Sequence, residues 1–513
     1  MTLTVISPAQ ARMLTAVMVP LLALVALLSW ATASPVGASP DDDFHLASIW
    51  CGDGLRAGLC ETGPSEAERV VPESVTTSAC YAFKPTETAS CQGGDIASSV
   101  TTMIATGRGN WTGAYPPLFY SVMGMFAGPN ITISVLLMRA FNALLFVAFT
   151  TALFWLLPPA RRPLLPIALV VSVVPLGMFL IPSTNPGSWA ILSAGTLWIS
   201  LLGYFETHGR RRLGLGLLAA AATVIGSAAR ADAALYAVLA IGIVVLIAAR
   251  RTRRFLVSLA LPVALALTAA FFYFSSGQSS FAESGLASNA SGSDWQQLLF
   301  VNVLNVPQLW VGALGFWGLG WLDTILPSLV WVLAVSVFSA TVFAGLQSTS
   351  WRKGLATTAV FSMMWAIPTY VLVRSQAFVG EQVQPRYILP LMILLAGITL
   401  LQPVGRALAL GRVQAGLIVV GLSVANSVAL HFNLRRYVTG SDAIGWNLNA
   451  GLEWWWKIGP SPMAVWITGT LAFAGVAAVL LMMTQSRYVG LFEVEPAATE
   501  RTTERWQTGR APD

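Results

Sequence analysis

The densest chemistry in the 513-residue sequence is the run Pro40-Asp41-Asp42-Asp43-Phe44-His45. Three adjacent carboxylates repel one another, which raises their proton affinity. With a histidine close behind, such a run suits a general base or the oxygen ligands of a cation. It also reads as the start of a short helix, with Asp42 or Asp43 as its cap and Phe44, His45, Leu46, Ile49 and Trp50 following. The two readings are compatible, because one carboxylate can cap while its neighbour does chemistry. Further on, Tyr115-Pro116-Pro117-Leu118-Phe119-Tyr120 forms an extended entry in which Pro117 fits the first turn of a helix. Residues 117–127 are too short to span a bilayer and read as an interfacial helix with aromatic anchors.

Other polar groups recur where apolar runs begin: Asn185-Pro186-Gly187, Arg230-Ala231-Asp232, Gly320-Trp321-Leu322-Asp323-Thr324 and Gln384-Pro385-Arg386-Tyr387. Arg139 falls inside an apolar run, where a charge is costly and faces a cavity, a partner or the headgroups. Arg230 and Arg386 have a plain reading as headgroup anchors and a sharper one as bidentate ligands of a lipid-linked phosphate. Arg435-Arg436 and Trp454-Trp455-Trp456-Lys457 mark an interfacial segment.

These residues must be positioned by membrane helices. Hydrophobic residues make up 55% of the chain, charged residues 10%, and the mean hydropathy is +0.68. A soluble domain carries about 25% charged residues, so soluble, disordered and collagen-like classes are excluded. The fold class is an all-α polytopic membrane protein of about twelve transmembrane helices: 13–33, 133–158, 164–182, 187–205, 213–229, 233–249, 255–275, 325–346, 356–373, 386–403, 413–431 and 463–484. The first is too long for a signal peptide's apolar core and reads as uncleaved. With both termini in the cytoplasm, 18 of the 29 basic residues lie inside, and every short inner loop carries at least two. The basic excess therefore signals orientation and not nucleic acid. The membrane domain is expected over 1–485, with outer segments at 34–132, 276–324 and 432–462 and a disordered inner tail at 486–513.

All four cysteines (Cys51, Cys60, Cys80 and Cys91) fall in the first outer segment. An even number confined to the oxidising side indicates disulfides. Of three possible pairings, proximity favours Cys51–Cys60 and Cys80–Cys91. No Cys-x-x-Cys spacing favours zinc, and an oxidising exterior fits a bacterial plasma membrane. The sequence holds no Walker A, Gly-x-Ser-x-Gly or His-Glu-x-x-His motif. Chemistry outside the cytoplasm has no access to cytosolic nucleotide sugars, so sugar transfer there needs a lipid-linked donor.

The order of these motifs, from the acidic run through Tyr115–Tyr120, Arg139 with Asn142, Asn185-Pro186, Arg230–Asp232 and Gly320–Thr324 to Gln384–Tyr387, resembles the bacterial membrane-protein family known as domain-of-unknown-function family 2142. The resemblance covers about residues 10–485. This chain departs from the family pattern at Asp42, where Glu is usual, and at Pro385, where Gly is frequent. The family in turn resembles the GT-C glycosyltransferases.

The resemblance implies interfacial helices in a long first extracytoplasmic loop, over a membrane-level cavity. It implies an inverting transferase that moves sugar from a polyprenyl-phosphate donor to a cell-envelope glycan or lipid acceptor. Asp41 is then the base, Asp42 a second carboxylate and His45 their support. Arg386, Arg230, Arg139, Gln384 and Tyr387 would hold the donor phosphate. Asp232, Asp323, Trp321, Tyr115, Tyr120 and Asn185 would line the substrate groove. No cofactor is required, although the three Asp leave a divalent cation open. A transporter or flippase of a lipid-linked saccharide would share the arginines but needs polar residues through the midplane. A non-catalytic envelope protein would keep the fold alone.

Overall fold

The computed structural model describes residues 8–93, 102–279, 294–381, 383–402, 410–457 and 459–482; the expected tail at 486–513 lies outside them. Without water to bond backbone groups, long apolar runs fold as helices that satisfy themselves. Among the described residues, nine helices are long and apolar enough to cross a membrane, and Ala16–Thr32 and Pro385–Leu400 are shorter apolar helices. The chain is a multi-pass helical membrane protein. Burial separates centre from perimeter: Gly187–Glu206 is 83% buried over its most apolar stretch, whereas Arg253–Ser275 is 22% buried and turns Leu267, Phe271 and Phe274 outward.

Three expectations are corrected. Over its described residues each of the twelve expected segments is largely helical, but 164–182 is split into Leu164–Val173 and Leu176–Leu180. Pro175 stands between them, where a ring without an N–H interrupts the ladder. The segment 276–324, expected as a loop, holds the 22-residue apolar helix Trp295–Phe316. Asn302 Nδ2 donates to the Ala377 carbonyl (2.9 Å) partway along it, and Gly312 packs against Pro385 near its end. Before this helix Gln278 Oε1 accepts from Ala231 N (2.9 Å), and after it Trp321 Nε1 donates to the Gly37 carbonyl (2.9 Å), so the chain on both sides of the added helix lies at the same end of the bundle. The helices on either side therefore keep the alternation expected of them. Finally, the first outer segment is not wholly helical. It contains the antiparallel sheet β1 (Glu61–Thr62), β2 (Arg69–Pro72) and β3 (Met103–Thr106), in that order, with Val71 opposite Ile104.

The outer segment also carries the short helices Asp42–Trp50 and Leu118–Gly124. Its disulfides are Cys51–Cys60 and Cys80–Cys91, the pairing expected from proximity. A second apolar core holds it on the bundle: Leu46, Ile49 and Trp50 pack with Val71, Val75, Phe119, Tyr120 and Met123 over Ile131, Met138 and Trp189. Gly52 permits the close approach of the two short helices, since a Cβ there would lie 2.1 Å from the Tyr120 carbonyl oxygen.

Candidate functional site

The acidic run sits where the outer segment meets the starts of Gly187–Glu206, Ala231–Ala248 and Pro385–Leu400. Its three carboxylates diverge, because successive residues of a helix point about 100° apart. Asp41 precedes the Asp42–Trp50 helix in the left-handed region (φ 58°), a conformation that Asp tolerates better than most residues. Its carboxylate accepts a bond from Arg386 Nη2 (2.5 Å) and lies 3.7 Å from Arg108 Nη2. A third of its side chain is exposed (33%), against 3% for Arg386. Burial pushes the Asp41 carboxyl upward, but Arg386, aided by Arg108, outweighs it and holds the group below the usual carboxylate range.

Asp42 turns the other way. It is fully buried, Ser39 N donates to its Oδ2 (3.0 Å), and Thr184 Oγ1 donates to both oxygens (2.9 and 3.1 Å). Desolvation raises its carboxyl to about 6, against the pull of Arg139 and these donors. Asp43 faces outward and pairs with Arg108. The three oxygen pairs therefore do not converge on one ion.

One turn on from Asp41, His45 is buried with Nδ1 2.9 Å from the Tyr120 hydroxyl, and its Nε2 has no partner. Burial lowers it to about 3, so the ring is neutral throughout the physiological range. Tyr115 packs edge-on against it (centroids 5.4 Å apart) and lies 6.0 Å beneath the Arg230 guanidinium. Arg230 is held in a fork by Asp232 (2.8 and 2.7 Å), and its guanidinium stacks 5.0 Å from the Tyr387 ring. Arg386 stacks on the same ring (5.1 Å) and donates to its hydroxyl (3.1 Å). Arg386 Nε and Nη1 are buried and unpartnered. Gln384 is the residue before this helix, and its carbonyl accepts from Tyr387 N (3.0 Å).

The structure thus gathers Asp41, His45, Tyr115, Tyr120, Arg230, Asp232, Arg386 and Tyr387 into one cluster. Other expected site residues are bound into the framework beneath it. Arg139 is buried and donates to the carbonyls of Ala31, Ser34 and Pro35 (3.0, 2.5 and 2.6 Å), so its charge is spent on the turn after the first helix. Asn185 Nδ2 donates to the Pro40 carbonyl (2.8 Å), and Trp321 Nε1 donates to that of Gly37 (2.9 Å). Asp323 pairs with buried Arg436 (2.8 Å) and accepts from Phe83 N (3.1 Å). Asn142 donates to the Ser183 carbonyl and accepts from Trp189 Nε1 (2.7 and 2.9 Å).

Sequence reasoning missed Arg108, Thr184 and Tyr236. Arg108 follows β3 and is delivered by the sheet. Thr184 precedes the noted Asn185. Tyr236, one turn after Asp232, donates to the Tyr387 carbonyl (2.9 Å) and ties the two arginine-bearing helices together. Only the helical spacing of Tyr236 from Asp232 offered a signal.

No curated protein matches the chain. A family model described as a predicted membrane protein, DUF2142, matches residues 24–395, and the chain belongs to that family.

Proposed function

We propose that the chain is a GT-C-type glycosyltransferase that moves a sugar from a polyprenyl-phosphate donor to a cell-envelope acceptor on the extracytoplasmic face of a bacterial plasma membrane. Asp41 removes the acceptor hydroxyl proton as that oxygen bonds to the anomeric carbon. The bond from that carbon to the phosphate oxygen breaks, and its electron pair leaves with the lipid phosphate. Arg386 and Arg230 receive the growing negative charge. Asp232 and the Tyr387 ring fix the two guanidinium planes. His45 stays neutral and positions Tyr120. Asp42, Asn185, Arg139, Trp321 and Asp323 act on the backbone that carries the site.

The observation that carries this reading is the Asp41–Arg386 pair, in which Arg386 retains two buried donors without partners. Buried guanidinium N–H groups left unbonded are costly, and a phosphate diester supplies the missing acceptors. A phosphate that draws Arg386 away from Asp41 also removes the main charge that depresses the carboxyl, so donor binding makes the base stronger. A transport path is less well served, because the cluster lies at one end of the helices.

The test uses purified protein in detergent, a panel of prenyl-phosphate sugars and envelope glycan acceptors. Wild type should form a glycosidic bond, and Asp41→Asn should lower the rate by roughly 10²–10⁴-fold, the usual contribution of a general base. Transfer by Asp41→Asn at the wild-type rate would remove Asp41 from the mechanism.

A further inference from the structure

At the opposite end of the bundle a cavity of about 410 Å³ opens between the ends of six helices. Six lysine and arginine side chains line it against one carboxylate, Glu206. Four of the six are already committed. Arg161 forks onto Glu206 (3.0 and 2.8 Å) and donates to the Gln402 carbonyl (2.8 Å). Arg352 donates to the Ala249 carbonyl (2.5 Å), and Lys353 to those of Gly345 and Ser348 (2.6 and 2.9 Å). Arg212 donates to the Ser258 and Tyr204 hydroxyls (2.6 and 2.9 Å).

Three of these side chains therefore satisfy carbonyl oxygens at or just beyond helix ends, which removes much of the negative potential of those ends. Of the positive ends, Thr252 and Ser350 cap Phe255 N and Lys353 N with their own side chains, whereas the start of Gly209–Ser227 has no side-chain cap. Gly209–Ser227, Arg253–Ser275 and Trp351–Arg374 all begin at the cavity, through the lining residues His208, Thr252 and Ser350. Helix starts attract anions. The two remaining arginines, Arg250 and Arg254, make no side-chain hydrogen bond or ion pair among the described residues, and both line the cavity.

We propose that this cavity is a phosphate-binding site, separate from the cluster around Asp41, in which Arg250 and Arg254 grip the phosphate and the uncapped start of Gly209–Ser227 adds its positive end. Arginine forks match phosphate oxygens, and the volume admits the phosphate together with an ester substituent. The phosphate belongs either to an anionic phospholipid at the bilayer surface or to a free phosphate compound. The proposal does not depend on glycosyl transfer.

Arg250 and Arg254 also contribute to the positive-inside signal, so the experiment needs a control of equal charge. Arg251 and Arg253 share their loop but not the cavity lining. The full chain is placed in phosphatidylcholine nanodiscs, and its unfolding temperature is followed by tryptophan fluorescence. One arm titrates inorganic phosphate against chloride at matched ionic strength. The other replaces phosphatidylcholine stepwise by phosphatidylglycerol. Saturable stabilisation in the first arm identifies a free phosphate, and stabilisation confined to the second identifies a lipid headgroup; both support the site. Arg250→Gln with Arg254→Gln should weaken the midpoint on the order of tenfold, while Arg251→Gln with Arg253→Gln should leave it in place. No saturable response in either arm, or equal loss in both double variants, would overturn the proposal.

Discussion

Asp42 and Asp41 are neighbours in sequence with opposite electrostatic fates, and the difference is measurable. Asp42 has no access to water, and its carboxyl is raised to about 6 from 3.8. Between those values the folded state holds a proton that the unfolded state has lost. Stability therefore falls as pH rises from about 4 to about 6 and levels off above that, with a total loss of roughly 3 kcal/mol. Asn at this position keeps one acceptor for Ser39 or Thr184 and cannot ionise. We expect the unfolding temperature of wild type to drop across this window relative to Asp42→Asn, read by tryptophan fluorescence in detergent. Parallel pH profiles for the two proteins would mean that Asp42 is not the buried acid described above. Asp41 contributes in the opposite direction: its lowered carboxyl loses stability only as pH falls below the usual carboxylate range.

Elements, more than single side chains, decide what was legible in the sequence. The cysteine pairing was readable because each bridge closes a short stretch, 9 and 11 residues. The uninterrupted apolar runs were readable as helices for the same reason that they fold. The helix Trp295–Phe316 was not, because Asn302, Asn305, Pro307 and Gln308 interrupt its apolar character. Asn302 serves the fold, exchanging bonds with the Ala377 carbonyl and Val379 N (2.9 and 3.0 Å). Divergence of the three Asp was equally hidden. The sequence lists their types, whereas a left-handed residue at 41 and a helix starting at 42 set their directions. Asp323 shows the same limit, since a carboxylate suited to sugar hydroxyls instead closes a buried pair with Arg436, 113 residues away. Removing one partner of such a pair strands the other, at a cost of about 3–5 kcal/mol. Asp323→Ala should therefore lower the unfolding temperature far more than the double change Asp323→Leu with Arg436→Leu. A double variant less stable than Asp323→Ala would deny that the pair acts as a unit.

At the scale of the whole molecule, the helices separate two kinds of charge. The cluster around Asp41 and Arg386 lies at the ends where Gly187–Glu206, Ala231–Ala248 and Pro385–Leu400 begin. The arginine-lined cavity lies where the first two of these finish, at Glu206 and Ala248. The described spans between them hold few charges, and Arg139 is bound to backbone carbonyls. The proposed function requires the arginine-rich end in the cytoplasm, in keeping with the positive-inside rule, and the acidic cluster and both disulfides outside, where disulfides persist. Every cysteine is bridged, so a new cysteine would be the only free thiol. Ile444 is fully exposed (100%) at the same end as the Asp41 cluster, and Arg251 is exposed at the other. In intact cells a membrane-impermeant maleimide should label Ile444→Cys and leave Arg251→Cys untouched until the membrane is permeabilised. The reverse pattern would place Asp41 in the cytoplasm, where polyprenyl-linked donors of the extracytoplasmic leaflet are out of reach, and the proposed transfer would fail with it.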